Sequence, residues 1–133
     1  MKYTMLTILF LMMIGCSSQK EMQNNELIYY GKTACLGKCP IFDLYIYKDG
    51  KVVYRGIKNV EKKGKFTTTI SKVKLEEIKK EILKLDLNDN TNTKSVRDLP
   101  NTIIKVSERK LKFQNLTKIE GLDKLLKNII LNI

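Results

Sequence analysis

The chain contains 133 residues, of which 43% are hydrophobic and 29% are charged. This length suits one small globular domain, and the composition excludes a collagen, a disordered chain and a cysteine-rich mini-scaffold. The chain has no histidine, which excludes imidazole metal ligands and catalytic sites that depend on a histidine base. Its 25 Lys and Arg residues outnumber the 14 Asp and Glu, which gives a formal net charge of +11.

The N-terminus has the pattern of a bacterial lipoprotein signal. Lys2 provides a positive start, and residues 5–14 form an apolar stretch. A membrane-spanning helix needs about twenty apolar residues, so this shorter stretch predicts a signal peptide. It ends at Gly15 and Cys16, which resemble the lipobox, where a cysteine after a small residue is lipidated as the preceding peptide is removed. We expect a signal peptide over residues 1–15, with an ordinary secretory signal as the alternative.

Lipidation of Cys16 would hold the protein on a membrane. Each buried CH₂ of an acyl chain such as palmitate contributes about 0.8 kcal/mol, and two chains anchor a protein durably. Residues 16–26 are polar and lack apolar periodicity, which predicts a flexible tether of at most about 35 Å. The folded domain is expected over residues 27–133. The predicted location is the bacterial cell envelope, on the periplasmic face of the outer membrane or at the cell surface.

The other two cysteines lie four residues apart, at Cys35 and Cys39. Export would place them in an oxidising compartment, where a structural disulfide is the expected state. A redox-active dithiol is the alternative, although such sites usually have C-x-x-C opening a helix, and here C-x-x-x-C precedes Pro40. Two thiolates without a histidine are too few for a zinc site. We therefore expect no metal and no cofactor.

A β-hairpin is predicted where residues 41–47 and 52–57 flank the pair Asp49 and Gly50. Asp-Gly in a two-residue loop is the strongest short signal for a hairpin. Before this hairpin, residues 27–30 are prone to form a strand.

The two-residue loop predicts a register in which Tyr45 faces Tyr54 and Leu44 faces Arg55. Side chains alternate between the two faces of a strand. An aliphatic core face follows, with Phe42, Leu44, Ile46, Val53 and Ile57. The opposite face would carry Tyr45, Tyr47 and Tyr54, which are the predicted contact surface because tyrosines suit protein or glycan contact.

The rest of the chain predicts one more strand, a helix, a second hairpin and a closing helix. Residues 62–70 form the strand, and Ser71 is a good N-cap for the helix. Residues 101–114 contain the second hairpin. Thr117 and Glu120 resemble a capping box before the last helix. The order strands–helix–two strands–helix predicts an α+β fold with a single antiparallel sheet and both helices packed on one face.

Several motifs occur in a fixed order along the chain. They are K-T-A-C-x-G-x-C-P over residues 32–40, I-Y-x-D-G-x-V-x-Y-x-G over residues 46–56, and D-L-P over residues 98–100. Together they resemble a family of small bacterial envelope proteins, often lipoproteins, that is described as a domain of unknown function. The resemblance runs from about residue 27 to the C-terminus. It implies the same fold and compartment, and it implies no activity.

No pair of carboxylates stands out as catalytic, so we expect a protein that is not an enzyme. Asp98, before Leu99 and Pro100, is interpreted as a structural loop carboxylate that docks against the cysteine loop. The expected function is a lipid-anchored binding or structural module. The alternatives are a thiol–disulfide redox protein that uses Cys35 and Cys39, and an accessory or inhibitor subunit of an envelope enzyme.

The positive charge limits the choice of partner. The lysines are spread along the chain rather than gathered in one basic run, so nucleic-acid binding is not expected. A basic protein near a membrane favours anionic lipids or acidic polymers. We expect a membrane contact through the N-terminal lipid, and an envelope protein or an acidic glycan as the partner. The alternative interpretation of the charge is a solvated, lysine-rich surface.

Overall fold

The first described strand begins at Glu26, the last residue of the predicted tether. The computed structural model describes residues 25–88 and 96–133. The predicted signal peptide over residues 1–15, Cys16 and the tether up to residue 24 lie outside the described residues, so those statements stay predictions.

Six strands, two α-helices and a short 3-10 helix make up the described chain. In chain order they are β1 (Glu26–Lys32), β2 (Ile41–Tyr47), β3 (Lys51–Lys58), β4 (Gly64–Thr69), α1 (Lys72–Leu83), β5 (Thr102–Val106), β6 (Arg109–Phe113), the 3-10 helix (Thr117–Ile119) and α2 (Glu120–Leu131). This sequence of elements confirms the predicted order.

All six strands belong to one antiparallel sheet in the order β4-β3-β2-β1-β5-β6. Strands β1 to β4 follow one another as a meander, and the β5–β6 hairpin returns after α1 to pair with β1. The predicted α+β fold is therefore confirmed, with β1 in the interior of the sheet between β2 and β5.

The hydrophobic core lies between one face of the sheet and the two helices. Helix α1 buries Leu75 and Ile78, and α2 buries Leu122, Leu126 and Ile129. Four aromatic rings cross the sheet side of this core, with 5.6 to 6.2 Å between successive ring centroids. They are Tyr30, Phe42, Tyr54 and Phe66. Both helices therefore cover the same face, as predicted.

The loop between β2 and β3 has three residues rather than the predicted two. Strand β2 ends at Tyr47 and β3 starts at Lys51, while the Gly50 N–H donates to the Tyr47 carbonyl over 3.0 Å. Only Gly50 in this loop has a positive φ, at 87°. That is the pattern of a type I turn followed by a glycine bulge, whereas the predicted turn needs positive φ at two residues.

The extra loop residue corrects the predicted register of β3. A shift of one residue exchanges the two faces of a strand. Leu44 pairs with Tyr54 rather than with Arg55, and Tyr54 is only 2% exposed because it lies in the core. Val53, which was predicted to face the core, lies on the opposite face, and Ile57 is 47% exposed. The placement of Tyr54 on a contact surface was therefore wrong.

The predicted start of α1 is confirmed, and that of α2 is not. The Ser71 hydroxyl accepts from the Lys74 N–H over 3.3 Å, as an N-cap does. At the other helix, the Thr117 hydroxyl bonds to the Asn115 side chain instead of capping, and the 3-10 turn separates Thr117 from α2. Helix α2 starts without a side-chain cap.

Candidate functional site

The face of the sheet opposite the helices is not covered by any described helix. We call it the open face, and it is formed by the outward side chains of all six strands. It contains Glu26, Tyr29, Asp43, Tyr45, Tyr47, Lys51, Val53, Arg55, Lys65, Thr67, Ile103, Lys105, Lys110 and Lys112. All of these side chains are exposed or half-buried.

Three half-buried tyrosines occupy the middle of the open face. Tyr45 and Tyr47 lie there as predicted, Val53 occupies the position opposite Tyr45 on β3 that was predicted for Tyr54, and Tyr29 on β1 is the third tyrosine. Tyr29 and Tyr45 are paired across β1 and β2, with ring centroids 5.0 Å apart. The open face thus has a compact aromatic centre on its two middle strands.

Tyr29 is held in place by its two neighbours on the sheet. Its hydroxyl donates to Asp43 Oδ1 over 2.6 Å, and it reaches that carboxylate by lying across Gly31. A Cβ at Gly31 would come within 2.7 Å of Tyr29 Cζ, so any larger residue would displace the ring. Burial and then the hydrogen bond to Asp43 raise the pKa of Tyr29. Its hydroxyl is therefore a fixed, neutral donor at physiological pH.

The other two tyrosines also keep their protons at physiological pH. Burial raises the pKa of Tyr45 and of Tyr47, and the nearby carboxylate of Glu26 adds to both shifts. A neutral tyrosine hydroxyl both donates and accepts hydrogen bonds. The aromatic centre therefore offers apolar rings together with uncharged polar groups.

Lysines lie over two of these rings. Lys105 Nζ is 4.9 Å from the centroid of the Tyr29 ring, and Lys51 Nζ is 5.8 Å from that of Tyr47. Both distances fall within the range of a cation–π contact, which at an exposed site contributes about 0.5–1 kcal/mol. The aromatic centre is thus joined directly to basic side chains at its border.

The cysteine loop lies outside the aromatic centre, between β1 and β2. Cys35 and Cys39 form a disulfide with Cα atoms 5.8 Å apart, which confirms the predicted bridge. Asn59 Nδ2 donates to the Cys39 carbonyl over 3.1 Å and ties the loop to the end of β3. The chain after Cys39 leads into β2 rather than into a helix.

The loop around Asp98 and Pro100 contacts the cysteine loop through a different residue from the one predicted. The Asn101 N–H donates to Thr33 Oγ1, and the Thr33 N–H donates to the Asn101 carbonyl, each over 3.0 Å. Asp98 is exposed. The link between the two loops is therefore made by the residue after Pro100, through one backbone–backbone bond and one bond to the Thr33 hydroxyl rather than through a carboxylate.

A buried polar contact that was not predicted from the sequence connects β1 to α2. The Tyr30 hydroxyl donates to Asp123 Oδ1 over 2.7 Å, and Lys127 Nζ lies 2.6 Å from Asp123 Oδ2. Asp123 is 6% exposed, and both of its oxygens are paired. The sequence contains one sign of this contact, because the acidic Asp123 directly follows the apolar Leu122 on α2. The sequence does not show which residue is its partner.

The described residues also contain one mainly apolar pocket of about 270 Å³ beside the C-terminal end of α2. Its wall includes Phe42, Tyr54, Val60, Ile130 and Leu131. Within residues 25–88 and 96–133, no group of three or more His, Cys, Asp or Glu side chains could hold a metal ion. In the same ranges, no helix combines the length and the apolar character that crossing a bilayer requires.

The sequence matches the family described as DUF6438, a domain of unknown function, over residues 26–132. The chain belongs to the DUF6438 family. No curated protein matches the sequence significantly. The match starts at the first residue of β1 and ends just after α2, so the DUF6438 domain includes the whole sheet, both helices and the open face. The expected membership of a family of unknown function is confirmed, and the lipoprotein character stays a prediction.

Proposed function

We propose that this DUF6438 protein is a cell-envelope lipoprotein that binds a partner through the open face of its sheet. The proposal for its location rests on the sequence, in which a short apolar segment ends at Gly15 and Cys16. Lipidation of Cys16 would leave a polar segment of about ten residues before β1.

The observation that carries the binding proposal is the aromatic centre of the open face. A sheet with one solvated face usually alternates apolar core residues with polar outer residues. Here the outer positions of the two middle strands hold Tyr29, Tyr45 and Tyr47 instead. Aromatic residues with a polar end are enriched in interfaces because they provide a large contact area at a low entropy cost.

Binding rather than catalysis is the activity that this arrangement supports. The carboxylate at the aromatic centre, Asp43, accepts a hydrogen bond from Tyr29, and this contact holds the ring in position. The tyrosines stay protonated and lie on a broad surface instead of in a cleft. A surface built on the strands of a sheet, with a donor held in place by a hydrogen bond, is suited to recognition.

The proposed anchoring is tested by the intact mass and the cellular fraction of the protein. Wild type should be found in the membrane fraction with the mass of a chain that starts at Cys16 and carries acyl groups. The variant Cys16→Ser should lose both the acyl mass and the membrane association. An unmodified full-length wild-type chain in the cytosol would contradict the proposal.

The proposed contact surface is tested by crosslinking in intact cells. Wild type should form a crosslinked product of higher mass, and Tyr45→Ala should reduce its yield. The matched control is Val73→Ala, which changes a 71% exposed residue on α1, on the other side of the molecule. Thermal unfolding of both variants shows whether each is folded. Equal yields from folded Tyr45→Ala and Val73→Ala would argue against the open face.

A thiol–disulfide exchange protein is the second candidate, and one contact favours it. The Gly37 N–H points to Cys35 Sγ over 3.2 Å, and such a donor would stabilise a thiolate after reduction. The reduction potential of the Cys35–Cys39 bridge separates the two functions. A structural bridge should have a potential below about −300 mV, whereas an exchange protein should have a higher one.

A further inference from the structure

The cations of the helical side and of the open face differ in their ion pairs. On the helical side, four lysines pair with carboxylates at helical spacing, as in Lys79 with Glu76 at 2.7 Å and Lys74 with Glu77 at 3.0 Å. On the open face, the cations form no ion pair with the residues that the structure describes. The cations of the open face are therefore available to an anionic partner.

Six exposed cations lie on the open face, against two half-buried carboxylates. One carboxylate, Asp43, accepts a hydrogen bond from the Tyr29 hydroxyl. The other, Glu26, lies at the start of β1 near Lys105. The six cations are Lys51, Arg55, Lys65, Lys105, Lys110 and Lys112. This excess of positive charge is complementary to an anionic partner.

The cations belong to the strands on both sides of the aromatic centre, and two of them, Lys105 and Lys51, reach over the rings of Tyr29 and Tyr47 at its border. Neighbouring strands lie about 4.8 Å apart, so the three intervals between Arg55 on β3 and Lys105 on β5 correspond to about 14 Å. The five intervals between Lys65 on β4 and Lys112 on β6 correspond to about 24 Å. Between the two basic borders, the outward residues of β1 and β2 are tyrosines and carboxylates.

We infer that the open face binds an acidic polysaccharide in which charged sugars alternate with neutral ones. This inference rests on the proposed function, because it names the partner of the same surface. The polysaccharide crosses the strands, with its acidic groups at the two basic borders and a neutral sugar on the tyrosines. Sugar rings offer apolar C–H faces to the aromatic rings and hydroxyl groups to the fixed phenols.

The position of the carboxylates favours this partner over a densely charged polymer. A nucleic acid has one phosphate per nucleotide, and polyglutamate has one carboxylate per residue. Either chain would place several anions on the aromatic centre, close to Asp43 and Glu26. Like charges at short distance are unfavourable. A partner with spaced acidic groups avoids that repulsion.

Titration with hyaluronate oligosaccharides tests the inference, because a uronate alternates with a neutral sugar in them. The full-length protein in nonionic detergent should bind hyaluronate and should not bind dextran, a neutral glucan. The double variant Arg55→Gln/Lys112→Gln removes one cation from each border and should weaken binding about tenfold. Its matched control, Lys79→Gln/Lys84→Gln, makes the same charge change on α1 and should leave the affinity within about twofold.

Several results would overturn the inference. The inference fails if the protein does not bind hyaluronate, or if it binds dextran equally well. It also fails if the protein binds polyglutamate or a single-stranded oligonucleotide more tightly than hyaluronate, or binds only to vesicles of anionic lipid. Equal losses of affinity in the two double variants would also overturn it. The proposed function fails separately, through a loss of membrane anchoring or an open face that makes no contact in cells. A protein that is anchored and crosslinked through Tyr45 but ignores hyaluronate keeps the proposed function and refutes this partner.

Discussion

Replacing Tyr30 by Phe tests how the first strand is fixed to the last helix. Tyr30 is completely buried, and its hydroxyl is the donor to Asp123 Oδ1 at 2.7 Å. The variant Tyr30→Phe keeps the ring and its contact with Phe42 and removes only the hydroxyl. Asp123 would then keep Lys127 as a partner for Oδ2 and lose the partner of Oδ1.

The size of the effect follows from this geometry. A hydrogen bond to a charged group contributes about 1.5–3 kcal/mol, and a buried acceptor that loses its donor costs about 1–3 kcal/mol. We therefore expect Tyr30→Phe to lower the free energy of unfolding by about 2 kcal/mol. For a domain of this size, that change corresponds to a decrease in Tm of about 8 °C.

Thermal and urea-induced unfolding of Tyr30→Phe and of a matched variant measure the effect. The control is Tyr45→Phe, which removes a hydroxyl from the half-buried open face and should change the stability by less than about 0.5 kcal/mol. If Tyr30→Phe were as stable as wild type, or if both variants lost the same amount, the buried contact between β1 and α2 would not have the role described.

Three further predictions concern the disulfide, the tyrosines and Gly31. The double variant Cys35→Ser/Cys39→Ser should lose about 2 kcal/mol of stability in urea unfolding, whereas Leu36→Ser, in the same loop and 81% exposed, should be neutral. The fold raises the pKa of Tyr29 and Tyr30 above the unfolded value near 10. Their protonated hydroxyls therefore contribute fully to the free energy of unfolding below about pH 10, and this contribution is lost as the pH rises further. Melting between about pH 8 and 12 should show this alkaline loss, and a flat profile would contradict it. Gly31→Ala should displace the Tyr29 ring from Asp43, because the added Cβ would overlap the ring. Ultraviolet titration should then find a lower pKa for one tyrosine than in wild type. An unchanged titration would refute the close contact between Gly31 and the Tyr29 ring.

The sequence was most informative where local chemistry decides the structure. The N-cap at Ser71 and the disulfide between Cys35 and Cys39 are each set by residues close in the chain, and both were predicted. The order of strands and helices along the chain also followed from the patterns of apolar residues. These features can be predicted without knowing which distant segments of the chain pack together.

The register of β3 shows where local chemistry was ambiguous. Asp49 and Gly50 fit a two-residue loop with positive φ at both positions, and they also fit a three-residue loop with positive φ only at Gly50. The two loops differ by one residue, which is enough to exchange Tyr54 with Val53 between the core and the open face. Placing Tyr54 in the core gives the helices an aromatic surface to pack on.

The long-range contacts of the candidate site could not be predicted. Tyr29 meets Asp43 only because β1 pairs with β2, and Tyr30 meets Asp123 across 93 residues of sequence. Neither partner is marked by a motif. The placement of the cations also depends on the sheet order, because β3 and β4 lie on one side of the tyrosine-bearing strands β1 and β2, and β5 and β6 lie on the other.

Hydroxyl-radical footprinting in isolated membranes tests the role of the open face most directly. Tyr45 and Tyr47 are half-buried on that face, whereas Val73 and Leu83 are exposed on the helical side at 71% and 85%. The account predicts that the two tyrosines are oxidised less in native membranes than in the purified protein, while the oxidation of Val73 and Leu83 stays the same. Equal oxidation of the tyrosines in both samples would contradict the claim that the open face is a binding surface.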